Sequence, residues 1–215
     1  MRVKFCGITR VEDAREAVRV GAWAIGLNHW AQSPRRCDPA TAIAISAELR
    51  RQVEVVGVFV NPTLDELARA AEDEQLAMLQ LHGDEGPDFC REAARRTGCK
   101  VIKAIRVGSF ADVQAAEVFR TDYHLLDTHR PGAPGGTGER FDWELVRERR
   151  STVPLILAGG LTPENVGEAI EIARPFAVDV ASGIESAPGI KDHARMAAFA
   201  EGAGLASSDP EAVAG

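Results

Sequence analysis

Several residues able to do chemistry stand at the ends of short apolar runs in this sequence. Cys6 closes the run 3–8, the turn Ser33-Pro34-Arg35-Arg36 follows 23–30, and Gln80-Leu81-His82-Gly83 ends 76–82. Arg106 ends 100–107, Asp127 ends 123–127, Gly159-Gly160 follows 154–158, and Asp179 with Ser182-Gly183 ends 176–181. A thiol and carboxylates are candidate acids and bases, and arginines pair with anions. Gly159-Gly160-Leu161-Thr162-Pro163 leads from a strand-like run toward a helix-like one. Glycines there let backbone N–H groups approach an anion, the helix terminus adds a favourable dipole, and Ser182-Gly183 offers more donors. Each feature also has a plain structural reading. Cys6 could be a packed core thiol, Asp127 a helix cap or ion-pair partner, His82 a satisfied polar group, and the glycine loops simple turns. Their repetition behind successive runs is not what packing alone produces.

For these groups to meet, the runs must be strands of one sheet. They are rich in Val, Ile and Leu without strict polar alternation, which suits strands covered on both faces, and 53–60 completes the set. Stretches 11–20, 40–51 and 64–74 between them have helical periodicity. Thr9-x-x-Glu12 and Thr63-x-x-Glu66 read as capping boxes, and Asp38-Pro39 and Thr162-Pro163 as a cap followed by proline at the first helical position. A last helix is expected from near Asp192 to just before Gly202. Eight strand–helix units of roughly 20 to 30 residues predict a single (β/α)8 TIM barrel over residues 1–203, with 204–215 a frayed tail. In such a barrel the C-terminal strand ends share one mouth, and the loops after the seventh and eighth strands recurrently bind phosphate. The segment 128–140, with Gly132, Gly135, Gly136, Gly138 and two prolines, follows the sixth strand and reads as a cover for that mouth or as an ordinary surface loop.

Composition narrows the partners. In 215 residues, 45% apolar and 27% charged, there is enough apolar material for a sizeable core, which excludes a disordered, collagen-like or disulfide-stapled chain. No apolar run approaches the ~20 residues of a membrane-spanning helix, and the first residues lack the pattern of a signal peptide. A soluble, cytoplasmic protein with no membrane partner is expected. With 25 Lys and Arg against 32 Asp and Glu, the net charge of −7 repels a polyanion, so no nucleic-acid partner is expected. The four cysteines form no CxxC pair and no zinc-ligand spacing with histidine.

The segments Lys4-Phe5-Cys6-Gly7-Ile8-Thr9, Ser33-Pro34-Arg35, Val56-Gly57-Val58-Phe59-Val60-Asn61 and Gln80-Leu81-His82-Gly83-Asp84 resemble those of the phosphoribosylanthranilate isomerases. So do Leu125-Leu126-Asp127-Thr128, Gly135-Gly136-Thr137-Gly138, Phe141-Asp142-Trp143, the stretch from Leu157 through Gly159-Gly160 to Val166, and Val178-Asp179-Val180-Ala181-Ser182-Gly183-Ile184-Glu185. The likeness runs in order from about residue 3 to 200. It implies an Amadori rearrangement of N-(5-phosphoribosyl)anthranilate in tryptophan biosynthesis, by a monomer or homodimer with no metal and no organic cofactor. Carried over by motif, Cys6 is the base and Asp127 the acid. Arg35 pairs with the anthranilate carboxylate, and His82, Arg106, Gly136, Gly159, Gly160, Asp179, Ser182 and Gly183 contact substrate. A base thiol needs nearby positive charge and an aspartic acid needs surroundings that keep it protonated. His29 and Cys37 stand where the family has aromatic residues, a departure expected to alter packing beneath the anthranilate ring. The alternatives are another phosphosugar barrel enzyme, such as indole-glycerol-phosphate synthase or ribulose-phosphate epimerase, or a non-catalytic phosphate-binding barrel. The first lacks its expected lysine, paired glutamates and helical extension here, and the second its metal-binding histidines and aspartates.

Overall fold

In the computed structural model, which describes residues 1–128, 143–147 and 149–205, each strand pairs in parallel with the next until the last returns to the first. They are β1 (Arg2–Cys6), β2 (Ala24–Asn28), β3 (Glu54–Phe59), β4 (Met78–Leu81), β5 (Lys100–Val107), β6 (Tyr123–Thr128), β7 (Leu155–Leu157) and β8 (Ala177–Val180). This is the (β/α)8 TIM barrel that the run count predicts, and closure leaves no unpaired sheet edge. The helices α1 (Val11–Arg19), α2 (Pro39–Leu49), α3 (Leu64–Asp73), α4 (Pro87–Thr97), α5 (Phe110–Ala115), α6 (Glu144–Arg147), α7 (Val166–Ala173) and α8 (His193–Gly202) follow the strands in turn. A short hairpin between β8 and α8, formed by β9 (Glu185–Ala187) and β10 (Ile190–Lys191), is not foreseen by the sequence reading. No helix among the described residues is long and apolar enough to cross a membrane. Gly136, with the rest of 129–142, and the tail from 206 onward lie outside the described residues.

Both faces of the barrel wall are buried, which is why its strands read as unbroken apolar runs. Val3, Phe5, Ile25, Leu27, Leu79, Leu81, Leu155, Leu157 and Val178 pack outward against the helices. Residues of the opposite parity, Ala24, Val56, Met78, Ile102, Leu125, Ile156 and Ala177, fill the interior as a separate core. Higher along the same inward rows the residue types change to Cys6, Gln80, Arg106, Asp127 and Asp179, which line a cavity.

The helix caps divide into those with a local partner and those without. Thr63 Oγ1 accepts from Glu66 N at 3.2 Å and Glu66 Oε2 accepts from Thr63 N at 2.7 Å, the predicted capping box of α3. Asp38 caps α2 through Thr41 N, with Pro39 first in the helix, and Asp192 caps α8. Two expectations fail. Thr9 Oγ1 donates to Gly189 O at 2.5 Å instead of capping, and α1 begins at Val11 behind an uncapped Arg10. Helix α7 begins at Val166, not at Pro163, and Thr162 N donates to the Asn165 side chain at 2.8 Å. In both cases another acceptor, brought by the tertiary fold or by a turn, displaces the local cap.

Candidate active site

The C-terminal ends of the strands enclose a cavity of about 290 Å³. Its wall contains Cys6, Arg35, His82, Arg106, Asp127, Gly159, Gly160, Asp179 and Ser182, which the sequence reading singled out. Gly183 is not in the wall, and Gly136 is outside the described residues. Trp30, Pro34, Val58, Val60 and Leu161 are apolar members of the wall to which the sequence reading gave no role. His29 and Cys37 are also absent from the wall. His29 stacks on Phe59 with ring centroids 4.6 Å apart and its Nε2 is 3.2 Å from Glu74 Oε2. Cys37 is buried, and that burial, with Glu74 and Asp38 nearby, pushes its thiol up to about 12. Both positions thus lie outside the cavity wall rather than in it.

Arg35 stands ready to take an anion. Its Nε and Nη2 donate to the two oxygens of Glu185, each at 2.8 Å. A guanidinium has two such edges, so the Nη1–Nη2 edge remains for a second carboxylate. Glu185 is in turn held by Lys191 Nζ at 2.9 Å and accepts from Gly189 N, so the β9–β10 hairpin fixes the orientation of Arg35. With Arg35 and Lys191 beside it, the Glu185 carboxyl is held below the usual carboxylate range although burial pushes it up.

Opposite, β4, β5 and β6 bring His82, Arg106 and Asp127 together. Arg106 and Asp127 are register partners on adjacent strands, and His82 Nε2 is 3.5 Å from Asp127 Oδ2. Gln80 Nε2 lies 3.3 Å from His82 Nδ1, and Arg106 Nη2 donates to His82 O at 3.5 Å. The loop after His82 is pinned by Glu85, which accepts from Asn61 N, Gly83 N and Lys103 Nζ.

On the third side, Gly159 and Gly160 take consecutive left-handed conformations, φ 86° and 66°, at the sharp turn after β7. Asn165 Nδ2 donates to Gly160 O at 2.9 Å and holds that turn. The next loop is locked onto it, because a β-carbon on Gly183 would fall on the Leu161 carbonyl oxygen. Gly183 thus serves the contact between the two loops. The sequence showed the glycine but not its reason.

Cys6 lies between opposing influences. Burial pushes its thiol up, the charge of Lys4 pulls it down, Asp179 adds to the rise and Lys191 opposes it, and the balance is upward. Lys4, fully buried, donates to Asp179 Oδ1 at 2.7 Å. Burial pulls that ammonium down, but Asp179 and Cys6 outweigh it and hold its pKa above the ordinary value. Lys4, Glu185, Lys191 and Gln80 are among the polar residues of this region that the motif reading left without a role.

Polar groups gathered at the C-terminal mouth of a closed parallel barrel define a (β/α)8-barrel enzyme. Comparison with known proteins narrows the class. The family model for N-(5'-phosphoribosyl)anthranilate (PRA) isomerase matches residues 3–202, and the chain belongs to that family. It is 50% identical over 201 residues to the N-(5'-phosphoribosyl)anthranilate isomerase of Pseudomonas fluorescens, covering 93% of each chain. The crystal structure of the phosphoribosylanthranilate isomerase of Thermotoga maritima superposes with a TM-score of 0.86 at 44% identity, over 94% of this chain and 98% of that one. A phosphoribosylanthranilate isomerase in complex with reduced 1-(o-carboxyphenylamino)-1-deoxyribulose 5-phosphate matches at TM-score 0.82 and 42% identity, over 94% of this chain and 98% of that one.

Proposed function

We propose that this chain performs the isomerisation as an Amadori rearrangement, with Cys6 as base and Asp127 as acid. The observation that carries this reading is their placement. Both line one cavity, and β7 and β8 separate β6 from β1 around the barrel, so a sugar held between them meets a thiol on one flank and a carboxyl on another. Asp127 gives a proton to the ribose ring oxygen as the C1–O bond breaks and an iminium forms. Cys6, as thiolate, takes the proton from C2, and those electrons form the C1–C2 double bond of an enolamine. Tautomerisation moves the C2 hydroxyl proton to C1 and yields the ketone. Acid and base end one proton short and one proton long, and exchange with water restores both. C1 is reduced and C2 oxidised within one molecule, which makes the enzyme an intramolecular oxidoreductase of the aldose–ketose type.

The remaining residues have places in this scheme. The anthranilate carboxylate takes the open edge of Arg35 while the ring lies against Trp30 and Pro34. The phosphate sits at Gly159, Gly160 and Ser182, held by backbone N–H groups, with Gly183 supporting the loop. His82, Arg106 and Asp179 orient the open sugar chain. Gln80, an amide, can turn either its N–H or its oxygen toward His82, which lets the ring accommodate Asp127 with or without its proton. The same reading makes the product 1-(2-carboxyphenylamino)-1-deoxyribulose 5-phosphate, an intermediate of tryptophan biosynthesis formed in the cytoplasm. The protein would act as a monomer or homodimer, and a Thermotoga maritima relative is described as dimeric. A barrel over 1–203 carries all assigned groups, and the tail 204–215 carries none. Freshly made N-(5'-phosphoribosyl)anthranilate mixed with the purified protein should show a change in anthranilate fluorescence as it is consumed. No change at micromolar enzyme removes the reading.

A further inference from the structure

Cys6 has a charged neighbour that does not reach the cavity. Lys4 is two residues earlier on β1, so strand alternation points both side chains into the barrel. Cys6 lines the cavity, whereas Lys4 is fully buried beneath it. A lysine without exposed surface is rare and requires partners for its charge. Its ion-pair partner is Asp179 Oδ1, 2.7 Å away on β8, and the Cys6 thiol of its own strand also favours its charge. Strand β2 leaves room for both groups. A β-carbon on Gly26 would stand 2.8 Å from Cys6 Sγ and 3.1 Å from Lys4 Nζ, so any larger residue would press on both. An ion pair that only stabilised the barrel would need Lys4 and Asp179. It would not need the thiol beside the ammonium or the space kept for both.

We propose that Lys4 is a positioning residue for the isomerisation: its buried ammonium is the counter-charge against which Cys6 becomes a thiolate, and Asp179 holds that ammonium in place. This rests on the reading of Cys6 as the base. Lys4 acts through the thiol and touches no substrate. The charged groups facing Cys6 are Lys4 on β1, Asp179 on β8 and Lys191 on β10. Lys191 is engaged by Glu185 at 2.9 Å, and Lys4 is the cation that shares the space beside Gly26 with the sulfur. The thiol proton leaves to water through the cavity. When the thiolate then takes the C2 proton of the sugar, the pair returns to a neutral thiol beside an ammonium, and no charge is left unbalanced between strands β1 and β8.

The test reads the thiol itself. Alkylation by iodoacetamide proceeds through the thiolate, so its rate against pH reports the titration of Cys6 without substrate. Peptide mass analysis separates Cys6 from Cys37, Cys90 and Cys99. Lys4→Met keeps the length and removes the charge. Its alkylation midpoint should rise by about one unit or more, and kcat/KM near neutrality should fall about tenfold or more. Asp179→Asn keeps an oxygen for the ammonium but removes the negative charge, so the midpoint should move down. Opposite midpoint shifts in the two folded variants, together with the fall in kcat/KM of Lys4→Met, are the expected result, since a pair that only stabilised the barrel would leave the turnover of folded enzyme unchanged. An unchanged midpoint in folded Lys4→Met overturns the proposal. If that variant does not fold, an unchanged or raised midpoint in Asp179→Asn overturns it. Should Cys6→Ala keep turnover while the alkylation midpoints shift as described, the base assignment fails and the coupling of Lys4 to the thiol stands.

Discussion

At Cys6, packing and chemistry make opposite demands. The barrel interior disfavours a thiolate, and the reaction as read here requires one. A buried cation within contact range reconciles them better than an exposed site would, because its charge is little screened by water. In the same reading Asp127 has the complementary task, and it reaches the cavity from β6. Removing either group should act on the chemical step and spare binding. Cys6→Ala and Asp127→Asn are each expected to lower kcat by about 10²–10⁴-fold while a product analogue binds almost as before. Steady-state kinetics and calorimetry check this. A tenth or more of wild-type turnover in Cys6→Ala shows that another group takes the proton, and the same result in Asp127→Asn makes Asp179 the next candidate acid. The types and order of these residues are legible in the sequence. Strand alternation places Lys4 in the same interior row as Cys6, but nothing in the sequence marks the carboxylate it finds 175 residues away.

The site depends on how loops from different elements lock together. The turn after β7 and the loop after β8 press on each other at Leu161 and Gly183, leaving no space for a β-carbon. Overpacking of this kind typically costs about 1–3 kcal/mol. Gly183→Ala should therefore lower the urea midpoint and, if these two loops hold the phosphate as proposed, raise the substrate KM as they move apart, with little effect on kcat. A normal KM in a folded variant would place the phosphate away from these loops. The elements themselves were largely readable. Thr63 and Glu66 stand three residues apart and meet within one turn, so their pattern is enough to predict the α3 cap. Thr9 shows the same pattern, yet its hydroxyl goes to the carbonyl of Gly189, and no local signal marks that competitor. The β9–β10 hairpin, only a few residues long, was missed for lack of an apolar run, although it holds the arginine of the site.

For the whole molecule, closure joins the two ends of the chain. Strands β1 and β8 pair, and beside that seam Asp13 of α1 receives Arg10 at 2.7 Å, Lys191 N at 3.2 Å and His193 Nε2 at 2.9 Å. Burial pushes the Asp13 carboxyl up, but these donors outweigh it and hold its pKa below the ordinary carboxylate value. The folded state therefore binds this proton less tightly than the unfolded chain. The stability so contributed is complete above the unfolded pKa of about 4 and is lost as pH falls through the lower folded value. Glu185, also held low, acts with the same sign. Asp13→Asn should be clearly less stable than wild type at pH 7, and the gap should narrow toward pH 3. Urea unfolding at the two pH values measures it, and a gap of constant size would show that Asp13 is not linked to acid unfolding.

The sequence by itself determined what depends on neighbours along the chain. Apolar runs with helical stretches between them specify strands and helices, their number specifies a closed barrel, and the polar residue at each strand end specifies which rim carries the chemistry. These signals are local because strand alternation, helix period and capping act over a few residues. Tertiary structure alone decided which polar groups face one another. Arg35 meets Glu185 across 150 residues, Gly183 meets Leu161 from the adjacent loop, and Lys4 meets Asp179 only because the eighth strand returns to the first. Charge interactions follow distance in space, and in a closed barrel distance in space is set by the register of the last strand against the first.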